Sequence, residues 1–268
     1  MIEGFKSVAA WARGGAAAII AASVLLGGCA THDTGAAEVW DPLETPNRFI
    51  FSINRAVDLI AIRPMAVVYK QWVPEPAQRG LHNILENLGE PLTAINEVVQ
   101  GNPGRAGTTL GRFLVNSTIG VVGIFDVASS MGMPKTNEDM GKTIGYYAGV
   151  EPENGGFYVV LPLIGPSNAR DGVGLAIDAA ADPFNIVTFA ISNDVGWIAA
   201  AARYGATVID TRSRTLFALD DLEKNSVDYY AALKSAYTQQ RADQIRRKRE
   251  KTDAHGELER RDKLALVP

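Results

Sequence analysis

The residue types that carry catalysis are sparse in this 268-residue chain. Its three histidines stand far apart, at His32, His82 and His255. This spacing excludes paired-histidine metal sites such as H-E-x-x-H, in which two imidazoles one helical turn apart bind zinc. The sequence also lacks the G-x-S-x-G nucleophile turn, the P-loop and the G-x-G-x-x-G dinucleotide motif. It therefore predicts no cofactor, no metal site and no catalytic residue.

One set of groups could still supply a nucleophile and a base, namely Ser167, Asp171 and His82. If His82 lay beside Ser167 it could accept the hydroxyl proton, and the chain would be a hydrolase. A simpler interpretation is that Ser167 caps a helix and Asp171 complements the positive end of that helix. The sequence favours the second interpretation, and the hydrolase remains the alternative.

Cys29 is the only cysteine, and the residues before it indicate how it is modified. Lys6 and Arg13 precede about a dozen apolar residues, which end in Leu-Gly-Gly-Cys at residues 26–29. A basic start, a short apolar run and small residues at the exit are typical of a secretory signal. The run is too short to cross ~30 Å of hydrocarbon. The sequence predicts a signal peptide over residues 1–28 and acylation of Cys29; the alternative is a buried thiol.

The residues after Cys29 bear on where the protein resides. Leu-Gly-Gly-Cys resembles the bacterial lipobox, whose cysteine becomes the acylated first residue. Ala30 follows it, where an aspartate typically retains such proteins at the inner membrane. We therefore expect a lipid anchor on the periplasmic face of the outer membrane, followed by a tether over residues 29–40. More than one acyl chain is needed for a stable anchor.

Charge excludes nucleic acid as a partner. Removal of residues 1–28 takes away Lys6, Arg13 and Glu3, which leaves 24 basic and 29 acidic side chains. The mature chain is therefore acidic, without the basic footprint of a nucleic-acid-binding protein. Residues 41–240 are long enough for one folded domain. Residues 241–268 alternate in charge, and we predict a disordered tail.

Helical periodicity and proline breaks dominate the domain. We predict helices over residues 47–63, ended by Pro64, and from residue 75, broken at Pro91. A turn follows at residues 101–104. Further helices are expected over residues 168–181 with Ser167 as the cap, and over 195–208 and 226–249. Residues 157–164 are the one plausible strand, at an edge because of Pro162. The predicted fold class is mostly α.

Residues 105–128 combine small, apolar and polar residues in an unusual way. Glycine inside a helix costs about 1 kcal/mol relative to alanine, so the small size of these glycines must serve a purpose. One interpretation is a lipid passage with narrow backbone, apolar surface and polar ends; the other is close helix packing with polar helix caps. The candidate passage residues are Gly107, Gly111, Arg112, Asn116, Gly120, Val121, Val122, Gly123, Ile124, Phe125 and Asp126.

Many short motifs between Asp41 and Arg241 occur in an order that resembles one family. They are Asp-Pro-Leu-Glu at 41–44, Asn-Arg at 47–48, Arg-Pro at 63–64, Val-Pro-Glu-Pro at 73–76, Asn-Leu-Gly-Glu-Pro at 87–91, Gly-Arg-Phe at 111–113, Asn-Ser at 116–117, Gly120, Gly123, Asp-Val-Ala at 126–128, Leu-Pro at 161–162, Gly-Pro-Ser at 165–167, Arg-Asp at 170–171 and Asp-Pro at 182–183. The chain resembles the VacJ/MlaA family of outer-membrane lipid-asymmetry lipoproteins. It departs from the family at residues 153–158, where members often have a compact Gly-Pro-Tyr.

The resemblance implies a ring of short amphipathic helices around a central amphipathic channel, embedded in the periplasmic leaflet of the outer membrane. It implies that phospholipids leave the outer leaflet through this channel and pass to a soluble periplasmic lipid-binding carrier. A trimeric porin is implied as the protein partner, and neither a cofactor nor a catalytic residue is implied. The alternatives are a structural outer-membrane lipoprotein that moves no lipid and a lipid hydrolase.

Overall fold

The computed structural model describes residues 41–147 and 155–265, with side chains as far as Arg247. Within these ranges the regular secondary structure is helical apart from one hairpin, which confirms the predicted mostly-α class. The predicted signal peptide, Cys29 and the tether lie outside the described residues. The helices are α1 Glu44–Val57, α2 Arg63–Trp72, α3 Glu75–Val99, α4 Pro103–Thr118, α5 Val127–Ser130, α6 Met140–Tyr147, α7 Ala169–Ala181, α8 Pro183–Ile191, α9 Asn193–Asn225 and α10 Tyr229–Ala265.

Helix starts follow the turn residues of the sequence. Asp182 caps α8 by accepting a hydrogen bond from the Phe184 amide at 2.9 Å. At the start of α7 the cap is Asn168, whose side chain accepts from the Asp171 amide at 2.8 Å. The prediction of Ser167 as the cap was therefore wrong, because the observed cap is the next residue, Asn168. Ser167 lies instead in a strand, whose pairing carries the chain into the helix.

Two prolines that were predicted to break helices do not do so. Pro64 lies in the first turn of α2, which continues directly from α1 through a π-helical turn at Asp58–Ile62. Pro91 lies inside the 25-residue helix α3. Hydrogen bonds between side chains hold α3 against α4 on both sides of Pro91: Arg112 donates to Glu90, and Thr109 donates to Glu97. These contacts keep the helix continuous although proline removes one backbone hydrogen bond.

The hairpin joins the first helix to the rest of the domain. Strands β1 Tyr158–Leu161 and β2 Gly165–Asn168 are antiparallel, with Tyr158 opposite Asn168. The Asn47 side chain of α1 donates to the Tyr158 carbonyl at 3.0 Å and accepts from the Val160 amide at 2.9 Å. Tyr158 and Val160 then pack with Tyr230 of α10 in a small apolar cluster. Asn47 thus takes the place of a neighbouring strand.

Polar side chains occupy much of the interior. Arg112, Asn96 and Glu97 are each at most 1% exposed. Charged pairs connect helices that are distant in sequence, such as Arg212 of α9 with Asp58 at 2.9 Å. Buried charges require partners of this kind, since an unpaired charge in an apolar interior is strongly unfavourable. The helices of this domain therefore contact one another through polar faces as well as apolar ones.

The exterior carries large apolar side chains on most helices. On α2, Met65, Val68 and Trp72 follow one another at helical spacing and are 57–79% exposed. Trp197 and Ile198 of α9 are 69% and 70% exposed. Extended apolar patches on a protein surface mark contact with lipid or with another protein. Among the described residues, only the pair α7 and α8, bent by 46°, has the length and composition of a membrane span, and no single helix does.

The last helix is packed into the domain beyond residue 240, the predicted end of the folded part. Ala242 and Ile245 are buried, and Arg241 pairs with Asp139 of the segment before α6 at 2.6 Å. The backbone of α10 remains helical to Ala265. The folded domain therefore extends at least to Ile245, and the disorder of the charged residues after Arg247 stays a prediction.

Candidate functional site

Arg112 is the centre of a buried polar network at the predicted passage. Its guanidinium donates to Glu90 of α3 at 3.0 Å and to Asp126 at 3.1 Å. It also donates to the Ser129 hydroxyl at 3.1 Å and to the Met133 carbonyl at 2.8 Å. Arg112 is 1% exposed. Its geometry therefore holds three chain segments together and does not present a charge to a passing ligand.

Asn116 and Asp126 extend this network to the start of α5. The Asn116 side chain donates to Asp126 at 3.0 Å and accepts from the Ala128 amide at 2.9 Å. Burial raises the pKa of Asp126, but hydrogen bonds from Ser129 and Asn116 and the charge of Arg112 outweigh it and lower that pKa to about 2. Asp126 is therefore an ionised helix cap that ties the loop before it to α4.

The loop at residues 119–126 turns its apolar side chains outward. Val121 and Val122 adopt the left-handed backbone conformation, with φ of 54° and 56°. A left-handed β-branched residue costs of order 1–3 kcal/mol, so the surrounding contacts must impose this shape. The side chains of Ile119, Val122 and Phe125 are 60–69% exposed. The polar network thus fixes a loop whose tip is apolar.

The glycines of the predicted passage fall into two groups. A Cβ atom at Gly120 would lie 2.5 Å from the Asn116 carbonyl oxygen, and one at Gly123 would lie 2.9 Å from the Asn87 side chain. Gly123 also has a φ of +89°. At Gly107 a Cβ atom would meet nothing within 4 Å, and at Gly111 only Met133, at 4.0 Å. Close packing therefore explains Gly120 and Gly123, whereas Gly107 and Gly111 face open space.

A separate cavity lies between α3, α9 and residues 135–139. Its volume is about 380 Å³. Only Leu85 and Leu92 contribute large apolar side chains. The polar and charged residues of its wall are His82, Glu86, Glu90, Thr93, Lys135, Thr136, Asn137, Glu138, Asp139, Arg203, Thr207, Asp210 and Thr211. We call this space the α3–α9 cavity; of the residues predicted for the passage, none lies in its wall.

Charged contacts run across the wall of the α3–α9 cavity. Lys135 pairs with Glu86, and the His82 imidazole lies 3.2 Å from Glu86. The other ring nitrogen of His82 lies 2.8 Å from Asp210 of α9, which also pairs with Arg214 at 3.0 Å. These contacts link residues 134–139 to α3 and α3 to α9. The wall thus offers charges of both signs to a ligand.

A second cavity of about 350 Å³ lies beside α10. Arg241 in its wall donates to Asp139 and, at 2.8 Å, to Asp171. Burial raises the pKa of Asp171, but hydrogen bonds from Arg241 and Arg170 outweigh it and lower that pKa to about 2. Tyr237 donates a further bond to Asp171 at 2.5 Å. This cluster attaches α10 to α7.

Ser167 and His82 do not meet. Ser167 lies in the wall of the cavity beside α10, whereas His82 lies in the wall of the α3–α9 cavity and contacts Glu86 and Asp210. Asp171 is engaged by Arg241 and Tyr237. The arrangement of a nucleophile, a base and an orienting acid is therefore not formed by these three residues. Within the described parts of the chain, no group of His, Cys, Asp and Glu is suited to hold a metal ion.

Sequence reasoning missed the wall of the α3–α9 cavity. On α9 the polar residues Arg203, Thr207, Asp210 and Arg214 recur every three or four positions. Such spacing marks one helical face. This stripe could have been found in the sequence. Its partner face on α3 could not, because the sequence does not reveal which helices pack together.

Comparison with known proteins now identifies the family. The model of the MlaA lipoprotein family matches residues 39–244. An uncharacterised Rickettsia conorii protein is 36% identical over 208 residues, covering 77% of this chain and 78% of that protein. The intermembrane phospholipid transport system lipoprotein MlaA of Escherichia coli is 33% identical over 228 residues, covering 83% and 85%.

A solved structure described in work on the maintenance of bacterial outer membrane lipid asymmetry is also similar. It has a TM-score of 0.64 and 32% sequence identity, and the match covers 76% of this chain and 98% of that one. The family model, the relatives and the solved structure each match about three quarters or more of this chain. This chain belongs to the MlaA lipoprotein family.

Proposed function

We propose that this chain is an outer-membrane lipoprotein that transports phospholipid between membranes. It removes phospholipids from the outer leaflet of the outer membrane and passes them to a soluble periplasmic carrier, which maintains lipid asymmetry. One observation carries the proposal: large apolar side chains lie outside, while a cavity between helices is lined by polar and charged groups. A phospholipid has both chemistries, because acyl tails prefer apolar surroundings and the headgroup requires polar partners.

The exposed apolar residues support embedding in the periplasmic leaflet. Met65, Val68 and Trp72 on α2 and Trp197 and Ile198 on α9 would lie among acyl chains. There they no longer contact water, and each buried large side chain contributes roughly 1.5–3 kcal/mol. Acylated Cys29 anchors the chain to the same membrane. The apolar exterior also offers surfaces to a trimeric porin that holds the protein in place.

The α3–α9 cavity is the passage for the headgroup in this proposal. Its charged wall replaces the hydration of a phosphate and an amine during transfer. The loop at residues 119–126 contributes apolar surface through Val121, Val122, Ile124 and Phe125, next to the route of the acyl tails. Arg112, Asn116 and Asp126 serve the passage indirectly, because they fix this loop. Gly107 and Gly111 leave open space on α4 for lipid or porin.

Blocking the cavity tests the proposal. Thr207→Trp puts a large side chain into the wall of the α3–α9 cavity, and a deletion strain that carries this variant should accumulate phospholipid in the outer leaflet. Gly205→Trp is the matched control, because a Cβ atom there meets nothing within 4 Å. Outer-leaflet phospholipid is measured by its accessibility to an added phospholipase in intact cells, alongside protein abundance. Normal asymmetry with Thr207→Trp at normal abundance would contradict a passage through this cavity.

The two alternatives predict different outcomes for the deletion strain itself. A structural lipoprotein that moves no lipid leaves asymmetry and detergent resistance unchanged when it is deleted. A lipid hydrolase releases fatty acid or lysolipid in vitro, and its activity is lost in Ser167→Ala. The anchor is tested separately. Cys29→Ala should no longer fractionate with the outer membrane, and firm retention of that variant would contradict acylation at Cys29.

A further inference from the structure

Two buried oxygen atoms on α3 accept no hydrogen bond from the described residues. They are Oε2 of Glu90 and Oδ1 of Asn87. Both residues are 4% exposed. Buried polar atoms are almost always satisfied, so two such acceptors side by side require an explanation. Both residues line one small void of about 10 Å³, which lies behind the wall of the α3–α9 cavity.

Charge is also unbalanced at this point. Glu90 and Asp126 share the single positive charge of Arg112, with contacts of 3.0 and 3.1 Å. Asp126 is ionised, because its pKa is lowered to about 2. Burial raises the pKa of Glu90 more than Arg112 lowers it. The group therefore lacks one cationic partner, or one hydrogen-bond donor, on the side of Glu90 Oε2.

The Lys135 side chain brings a primary ammonium group to the edge of this void. Its Nζ atom pairs with Glu86, and Lys135 lines both the small void and the α3–α9 cavity. Its side chain is 38% exposed, so it can move away at little cost. Where it stands, the Lys135 ammonium bonds Glu86 and leaves Glu90 Oε2 and Asn87 Oδ1 unpaired. A ligand ammonium also has three N–H donors, and it is not held back by a lysine side chain, so it can enter the void further. The void offers it three acceptors, namely Glu86, Glu90 and Asn87.

We propose that the α3–α9 cavity binds the headgroup of an ethanolamine phospholipid, whose primary ammonium displaces Lys135 from Glu86 and also donates to Glu90 and Asn87. Lys135 then pairs with the lipid phosphate. This inference rests on the proposed function, since it names the lipid class that the passage prefers. The exchange preserves charge, because one ammonium leaves the acidic site as another enters. It also supplies the donors that Glu90 and Asn87 lack.

The same geometry disfavours other headgroups. A glycerol headgroup has no cation, so Glu90 and Asp126 continue to share the single charge of Arg112. A choline headgroup carries a positive charge but no N–H donor for the two unsatisfied oxygens. The site therefore selects by hydrogen bonding as well as by charge. Discrimination of this kind arises wherever a buried polar group would be left unpaired.

The test uses the purified full-length protein and defined lipid. The protein is equilibrated with mixed micelles of equimolar phosphatidylethanolamine and phosphatidylglycerol, reisolated, and its bound lipid quantified by mass spectrometry. Wild type should bind more of the ethanolamine lipid. Glu86→Gln should lower the bound ratio about two- to fivefold, the range for loss of one partly exposed charge interaction. Lys135→Gln should raise the ratio, because it removes the competing ammonium.

Glu75→Gln is the matched control, because Glu75 lies on the same helix with its side chain 83% exposed and outside the cavity wall. It should leave the ratio unchanged. A wild-type ratio of one, or a ratio that Glu86→Gln does not alter, would overturn the headgroup inference alone. A lower ratio in Lys135→Gln would also overturn it. Absence of bound phospholipid would contradict the proposed function instead.

Discussion

The loop at residues 119–126 and the segment at residues 134–139 flank α5 and are built in opposite ways. The first exposes apolar side chains and has strained left-handed residues, yet a buried network holds it. The second is polar and has no regular secondary structure; Thr136 and Asp139 attach it to Glu97 and Arg241, whereas its pair of Lys135 with Glu86 is partly exposed. Buried charge networks are rigid because removal of one member leaves the others unpaired, whereas exposed pairs exchange readily with water. The apolar loop is therefore rigid, whereas Lys135 in the polar segment is adaptable.

The largest expected effect on stability comes from the buried network that holds the loop at residues 119–126. Arg112→Met removes the partner of Glu90 and Asp126, and loss of a member of a buried ion pair typically costs about 3–5 kcal/mol. The free energy of unfolding, measured by denaturant titration in detergent, should fall by that amount. Arg79→Met is the control, because the pair of Arg79 with Glu75 is exposed and should contribute less than about 1 kcal/mol. Equal effects of the two variants would contradict the distinction.

Acid should weaken the same buried network around Arg112. The pKa of Asp126 is about 2 in the folded protein, below its usual 3.8, so its ionised form stabilises the fold. This stabilisation, about 2 kcal/mol, is present in full above pH 4 and is lost as the pH falls toward 2. Unfolding midpoints recorded between pH 5 and pH 2 should decline less steeply for Asp126→Asn than for wild type. Parallel declines would show that Asp126 does not carry this dependence.

Glycine substitutions should separate close packing from open space. Gly123→Ala puts a Cβ atom at a φ of +89° and 2.9 Å from Asn87, which should cost about 1–3 kcal/mol. Gly107→Ala lies in a helix with no neighbour within 4 Å and should stabilise by about 0.5–1 kcal/mol. Thermal unfolding of the two variants in parallel measures the difference. A destabilised Gly107→Ala would indicate that a contact outside the described residues uses this position.

The smallest expected effect on stability comes from Lys135 in the segment at residues 134–139. Lys135→Gln removes a partly exposed pair and should change the free energy of unfolding by less than about 1 kcal/mol. Its expected effect on bound lipid is nevertheless measurable. A loss of stability as large as that of Arg112→Met would mean that residues 134–139 are as rigid as the loop before α5. The proposed exchange of ammonium groups would then have no mobile partner.

The sequence by itself determined the mostly helical class, the start of α3 at Glu75 and the first strand of the hairpin. The predicted turn at residues 101–104 and Asp182 with Pro183 each separate two helices in the structure, because turn residues and proline act within a few residues. Local signals of this kind need no knowledge of the rest of the chain. The order of short motifs also indicated the family, which the comparisons confirmed.

The tertiary structure alone decided the site. Pro91 did not break α3, since contacts with α4 outweighed a local preference. Arg112, Asn116 and Asp126 form a polar network that supports a loop, which the sequence did not reveal, and their place along the passage stays a prediction. The α3–α9 cavity joins His82 to Asp210, 128 positions away. Periodicity reveals which face of a helix is polar, but only packing determines which two polar faces meet, because that choice depends on the shape and charge of the whole domain.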